Sequence, residues 1–116
     1  MAQLDFTPEN ALSHYLGEVR KYPYLDLATE QRLVEAWRSK RAPRALDQLV
    51  GSHLRLVIKT ARGYLGYGLP LDDLIAEGNL GLMQAIERFD PARGFRLSTY
   101  AIWWIRAQLQ DYVMRA

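Results

Sequence analysis

Trp103 and Trp104 stand side by side in the stretch STYAIWWIRAQLQDYVMRA, Ser98 to Ala116, with Tyr100 before them and Arg106 and Gln110 after. Neighbouring side chains on a helix point about 100° apart, so one narrow core stripe cannot take both indoles. At least one of them faces a groove, a partner or water. Arg106 and Gln110 follow Trp103 by three and seven residues, which sets a guanidinium and a bidentate amide along the same helical edge. Aromatic faces stack on any nucleobase for about 1–3 kcal/mol each, Gln matches adenine, and Arg matches guanine or phosphate. The edge therefore has the chemistry to hold unstacked bases. The competing reading of the same pattern is a core helix with both indoles buried.

Other charged residues are more ordered than the net charge suggests. Arg55, Lys59 and Arg62 recur at helical spacing, and Arg88, Arg93, Arg96 and Arg106 flank the last turn and helix. They can track a phosphate backbone or simply solvate a helix face. Asp72, Asp73 and Glu77 make a carboxylate edge suited to a basic protein partner, or to helix capping and solubility. The only histidines are His14 and His53, with no ligand pair at metal spacing, and no nucleophile elbow is present. Gly63, Gly66 and Gly68 lack the phosphate-loop lysine and follow a helix rather than a strand. No enzyme, cofactor or metal site is expected.

The elements that must position these residues are helical. Thr7 and Pro8 read as a helix start, with Leu12, Tyr15, Leu16 and Val19 as its apolar stripe. Asp26 caps a second helix carrying Leu33, Val34 and Trp37. Pro43 opens a third, in which Leu46 to Ala61 keep helical spacing with a mild interruption at Gly51. Gly63 to Pro70 is a loop, and a fourth helix runs from Pro70–Asp73 to Phe89, where Asp90-Pro91 stops it. Ser98 is the expected cap of the last helix, whose Ala101, Ile105, Leu109, Tyr112 and Val113 face a core. The expectation is an all-α, compact bundle of about five helices over residues 1–116, a single domain by length. An apolar content of 49% argues for a folded chain, and a net charge of +2 with pI near 9.0 is only mildly basic. The absence of cysteine fits a cytoplasmic protein, and no run is apolar enough for a membrane segment.

Asp73 to Gln110, DLIAEGNLGLMQAIERFDPARGFRLSTYAIWWIRAQLQ, resembles region 2 of bacterial RNA polymerase sigma factors of the sigma-70 family. EGNLGLM, the RFDP-x-RG-F turn and STYA-x-WWIR occur in the family's order. Residues 45–116 are similar to region 2 and residues 1–40 to region 1.2, while SHLR and GYGLP resemble the heat-shock branch. A housekeeping or general-stress sigma factor is the alternative within the family, and a helical protein-interaction module with no DNA role is the alternative outside it. The resemblance implies a fragment without the C-terminal sigma domains.

The resemblance also implies roles. Asp73, Glu77, Asn79 and Met83 match residues that dock on the clamp coiled coil of the largest subunit of core RNA polymerase, with Ala76 in place of a usual glutamine. Phe95, Leu97, Thr99, Tyr100, Trp103 and Trp104 match the set that captures a flipped adenine from the nontemplate strand of the minus-ten promoter element. Ala107 and Gln110 match the readers of the upstream base pair; with Ala107 unable to hydrogen-bond, that task falls to Gln110, beside Arg106. His53 and Leu56 match a second flipped-base pocket, with histidine replacing asparagine. Arg55, Lys59, Arg62, Arg93 and Arg96 would contact phosphates. An anti-sigma factor or a chaperone is a further partner class.

Overall fold

In the computed structural model, which describes Gly17 and residues 19–116, helix is the only regular secondary structure among the described residues. Of the expected first helix, Thr7, Pro8, Leu12, His14, Tyr15 and Leu16 lie outside them, while Val19 is helical and buried. Helix α1 spans Leu27–Lys40, and the Asp26 carboxylate accepts the Thr29 N–H at 2.7 Å. The Thr29 hydroxyl and then its N–H hold the Asp26 carboxyl below the usual carboxylate range. Arg41 ends α1 in the left-handed region at φ 51°, and Pro43 opens α2 at Pro43–Ser52, as its missing N–H allows.

One expectation fails here. The apolar period predicts a single helix through Ala61, but the chain breaks at His53 (φ −104°, ψ 7°) and restarts as α3, Leu54–Arg62. The Leu49 carbonyl, which a continuous helix would give to the His53 N–H, is instead 2.7 Å from the His53 ring Nδ1. The His53 N–H turns to Val50 O at 3.2 Å. Gly51, the expected interruption, sits within α2, where the Tyr22 ring occupies the space a Cβ would need.

A 3₁₀ turn at Leu65–Tyr67 and Gly68 at φ 81° lead to α4, Leu71–Arg88, with Asp72 and Asp73 in its first turn. Asp90 then caps a second 3₁₀ turn, Pro91–Arg93, by accepting the Ala92 N–H at 3.0 Å, and Gly94 reverses the chain at φ 80°. Helix α5 follows at Leu97–Arg115.

Helices α4 and α5 form the largest interface and run antiparallel, because Glu77 meets Gln108, Gly81 meets Trp104 and Phe89 meets Tyr100. Gly81 makes the approach possible: a Cβ there would lie 2.5 Å from the Trp104 carbonyl oxygen and 2.8 Å from Ile105 Cα. At Gly78 a Cβ would meet Val57 of α3 at 2.8 Å. The three helices bury Val57, Ala61, Leu74, Ile75, Leu82, Ile86, Ala101, Ile105 and Leu109 between them, so the core stripe expected of α5 is present.

The start of α5 corrects a second expectation. Arg96, not Ser98, is the N-cap, and Ser98 lies exposed inside the first turn. The capping acceptor comes from α1: Glu30, only 1% exposed, takes the Leu97 N–H on Oε2 at 3.1 Å. The same carboxylate accepts from Arg96 Nε and from a second Arg96 guanidinium nitrogen, both at 3.3 Å. A buried carboxylate is stable only with such partners.

Candidate nucleic-acid interface

Helix α5 turns Ala101, Ile105 and Leu109 inward, so Trp103, about 200° around the helix from Ala101 and from Ile105, must face out. Trp103 is 68% exposed, while Trp104 and Tyr100 are half-buried against the core. The rings form a chain: Phe89, buried, lies 5.8 Å from Tyr100, and Tyr100 meets Trp104 edge-on at 6.2 Å. The Arg88 guanidinium covers the Trp104 ring at 4.9 Å, which fixes that indole by cation–π attraction. Trp104 is thus a braced wall and Trp103 the free stacking face. The reading in which both indoles are buried is excluded. Phe95, Thr99, Arg106, Ala107 and Gln110 are exposed around this chain.

Leu97 does not join them. It is wholly buried in the core, because the first turn of α5 points it inward under the Glu30 cap, and it cannot line a surface pocket. Arg96 is also removed from the free cations: its guanidinium binds Glu30 and donates to the Leu25 carbonyl at 2.6 Å. Arg93 is exposed and pairs with Asp90 at 3.8 Å. Arg55, Lys59 and Arg62 lie exposed along α3, with Arg55 stacked over the Tyr24 ring at 4.6 Å.

Two hollows flank α3. One, of about 280 Å³, is lined by Tyr24, Leu25, Glu30, His53, Leu56, Lys59 and Arg96 among others, and so brings His53 and Leu56 together. The second lies between α3 and α5 and shares Leu56 and Lys59 with the first. His53 itself is nearly buried. Its Nδ1 donates to Leu49 O, which leaves Nε2 facing Glu30 at 3.8 Å. Burial lowers its pKa, opposed by the Leu49 bond and the Glu30 charge, so the ring is neutral at pH 7.

On the far edge of α4, Asp73 is exposed and Glu77 is half-buried, accepting from Gln108 Nε2 at 2.7 Å. The Tyr112 hydroxyl is pushed up by desolvation and by the Asp73 and Glu77 charges beside it. Asn79 is half-buried with its Oδ1 shielded and without a hydrogen-bond partner, and Met83 is exposed. Leu80, exposed between them, was not anticipated. Its spacing to Met83 is that of a core stripe, and periodicity does not tell which apolar stripe faces out. Glu30 and Tyr24 were missed as well, since their partners Arg96, Leu97 and Arg55 are distant in sequence. The described residues contain no metal-ligand cluster, and no helix among them is long and apolar enough to cross a membrane.

The sequence model of the family described as Sigma-70 region 2 matches residues 49–116. The RNA polymerase sigma factor RpoH of Caulobacter vibrioides is 52% identical over 110 residues, covering 95% of this chain and 37% of that protein. RpoH of Zymomonas mobilis subsp. mobilis is 53% identical over 108 residues, covering 93% and 36%. RpoS of Coxiella burnetii is 48% identical over 100 residues, covering 86% and 28%. The chain spans little more than a third of the length of the two RpoH relatives and 28% of that of RpoS.

Proposed function

The chain belongs to the sigma-70 family of RNA polymerase sigma factors, and from that premise we propose that it docks on core RNA polymerase through α4 and holds the melted minus-ten promoter element on α5. The observation that carries the reading is the exposed Trp103 beside a braced Trp104 and Tyr100, set against the cationic row of α3. Melting exchanges base stacking for stacking on protein rings. Each extruded base costs a few kcal/mol, which ring capture and phosphate contacts offset. The domain supplies no bond chemistry.

In this reading Phe95, Thr99, Tyr100, Trp103 and Trp104 surround a flipped base of the nontemplate strand, and Arg106 and Gln110 face the upstream pair. His53 and Leu56 line a second base pocket. Arg55, Lys59, Arg62 and Arg93 neutralise phosphates, while Arg96 and Leu97 hold the helix in place. Asp73, Glu77, Asn79 and Met83, joined by Leu80, form an acidic and apolar strip for the clamp coiled coil of the largest polymerase subunit. An anti-sigma factor or chaperone would compete for that same strip. SHLR and GYGLP, together with RpoH relatives at 52–53% identity against 48% for RpoS, favour a heat-shock factor acting in the cytoplasm.

Co-elution of the purified chain with core RNA polymerase tests the docking half. Wild type is retained and Glu77→Lys is lost; retention of both, or of neither, contradicts it.

A further inference from the structure

The last turn of α4 forms the back of the ring wall on α5, since its Arg88 covers the Trp104 ring and the buried Phe89 ring meets Tyr100. Helix α1 holds the same turn. Glu87 accepts the Trp37 indole N–H at 2.9 Å and forms an ion pair with Arg41, whose guanidinium in turn lies over the Trp37 ring at 4.8 Å. Arg38 donates to the Phe89 carbonyl. That carbonyl needs an outside donor, because Phe89 leaves α4 in the extended conformation, φ −69° and ψ 133°, and the chain does not fold back over the helix end. Glu87 and Arg88 are neighbours on the helix and point about 100° apart, so fixing Glu87 to α1 sets the direction in which Arg88 leaves α4.

The backbone of Arg41 points the same way. It is the one non-glycine residue with a positive φ among the described residues, at 51°, where α1 ends. Helix ends in this conformation ordinarily carry glycine, which adopts it without strain. A side chain kept at a strained position is one that is used, and the Arg41 side chain is used on Glu87 and Trp37. From this arrangement we propose that Trp37, Arg38 and Arg41 are positioning residues for base capture: acting through Glu87 and the Phe89 carbonyl, they set the end of α4 so that Arg88 stays on Trp104 and Phe89 stays behind Tyr100. None of the three touches nucleic acid in this scheme. The proposal rests on the promoter-opening reading above and gives α1 a part in it that no expected site residue supplied.

The test reads promoter opening by thymine reactivity in the minus-ten element with core polymerase carrying this chain, beside polymerase retention and the thermal melt of the chain. Arg41→Gly breaks the contact with Glu87 and relieves the backbone in one step. It is retained by polymerase, melts within about 4 °C of wild type and loses opening about three- to fivefold, as for one cation–π contact. Arg38→Ala loses opening by a similar factor, and Arg38→Lys, which can still donate to the Phe89 carbonyl, returns to within about 1.5-fold of wild type. In an Arg88→Ala background, which already lacks the contact on Trp104, Arg41→Gly costs no further opening. Additive losses in that background, loss of polymerase retention by Arg41→Gly, or a fall in its melting temperature that accounts for its loss of opening would each overturn the proposal. Trp103→Ala is measured beside them. If it loses opening while Arg41→Gly and Arg38→Ala open as wild type does, the positioning proposal is wrong and the functional reading stands. If Trp103→Ala also opens as wild type does, both fall.

Discussion

Replacing Glu30 with alanine removes the acceptor that starts α5 from another helix. The Leu97 N–H, buried in the core, loses the one partner it has among the described residues, which costs about 1–3 kcal/mol. Arg96 loses two contacts at 3.3 Å, but its side chain is 44% exposed and water can replace them, so this part is worth about 0–1 kcal/mol. Glu30 also lines the hollow beside α3, which lets a water reach the vacated position and trims the first figure. The expected total is about 2 kcal/mol out of the roughly 5–15 that hold a domain together. Glu30→Gln keeps an acceptor oxygen for Leu97 and loses only the charge, so it costs about half as much. Urea unfolding followed by tryptophan fluorescence reads this directly. With a slope of about 1–2 kcal/mol/M, Glu30→Ala shifts the midpoint down by about 1–2 M. A loss under about 0.5 kcal/mol, or equal losses for the two variants, would refute the capping argument.

Gly81→Ala gains helix propensity of about 1 kcal/mol but drives a methyl into the backbone of Trp104 and Ile105, and the net effect is destabilisation of about 1–3 kcal/mol in a thermal melt. Leu97→Ala costs about 2–5 kcal/mol as a core cavity, whereas Phe95→Ala stays within about 0.5 kcal/mol; similar losses at both would return Leu97 to the surface. The pH dependence of stability follows His53. Burial lowers its folded pKa, so the unfolded ring, which titrates near 6.5, takes its proton first, and stability falls as pH drops below about 6.5. Glu30 and Arg96 face the ring in both variants, so the difference between wild type and His53→Asn isolates it. A wild type and His53→Asn with parallel curves from pH 7 to 5 contradict this assignment.

Local chemistry was legible wherever it decides the backbone locally. Asp26 caps α1, Pro43 opens α2, Asp72 and Asp73 sit in the first turn of α4, and Asp90 with Gly94 makes the turn before α5. The stripe Ala101, Ile105 and Leu109 names the buried face of α5, and adjacency of the tryptophans requires one to point out. Which one could not be read, because that depends on the close approach of α4 at Gly81, where no Cβ would fit, and on Arg88 over Trp104. The helix break at His53 was hidden for a related reason: the apolar period runs unbroken across it, while the His53 ring takes the Leu49 carbonyl that a continuous helix would use. Ser98 looked like a cap because short-range rules see only nearby side chains, whereas the acceptor arrives from Glu30, 67 residues away. Leu97 matches a base-pocket residue by resemblance alone, and its burial beneath that same distant cap is a tertiary feature.

The proposed opening of promoter DNA by α5 rests on Trp103, an exposed ring that contributes little to the fold. The most direct measurement is the reactivity of unpaired thymines in the minus-ten element with core polymerase carrying wild type, Trp103→Ala or Glu77→Lys. Trp103→Ala is expected to bind polymerase and melt thermally as wild type does, yet to lose about tenfold in opening, the loss of one base stack of about 1.4 kcal/mol. Glu77→Lys is expected to fail at docking first and to regain opening when polymerase is raised in excess. Opening at the wild-type level by Trp103→Ala, with polymerase bound, would contradict the account.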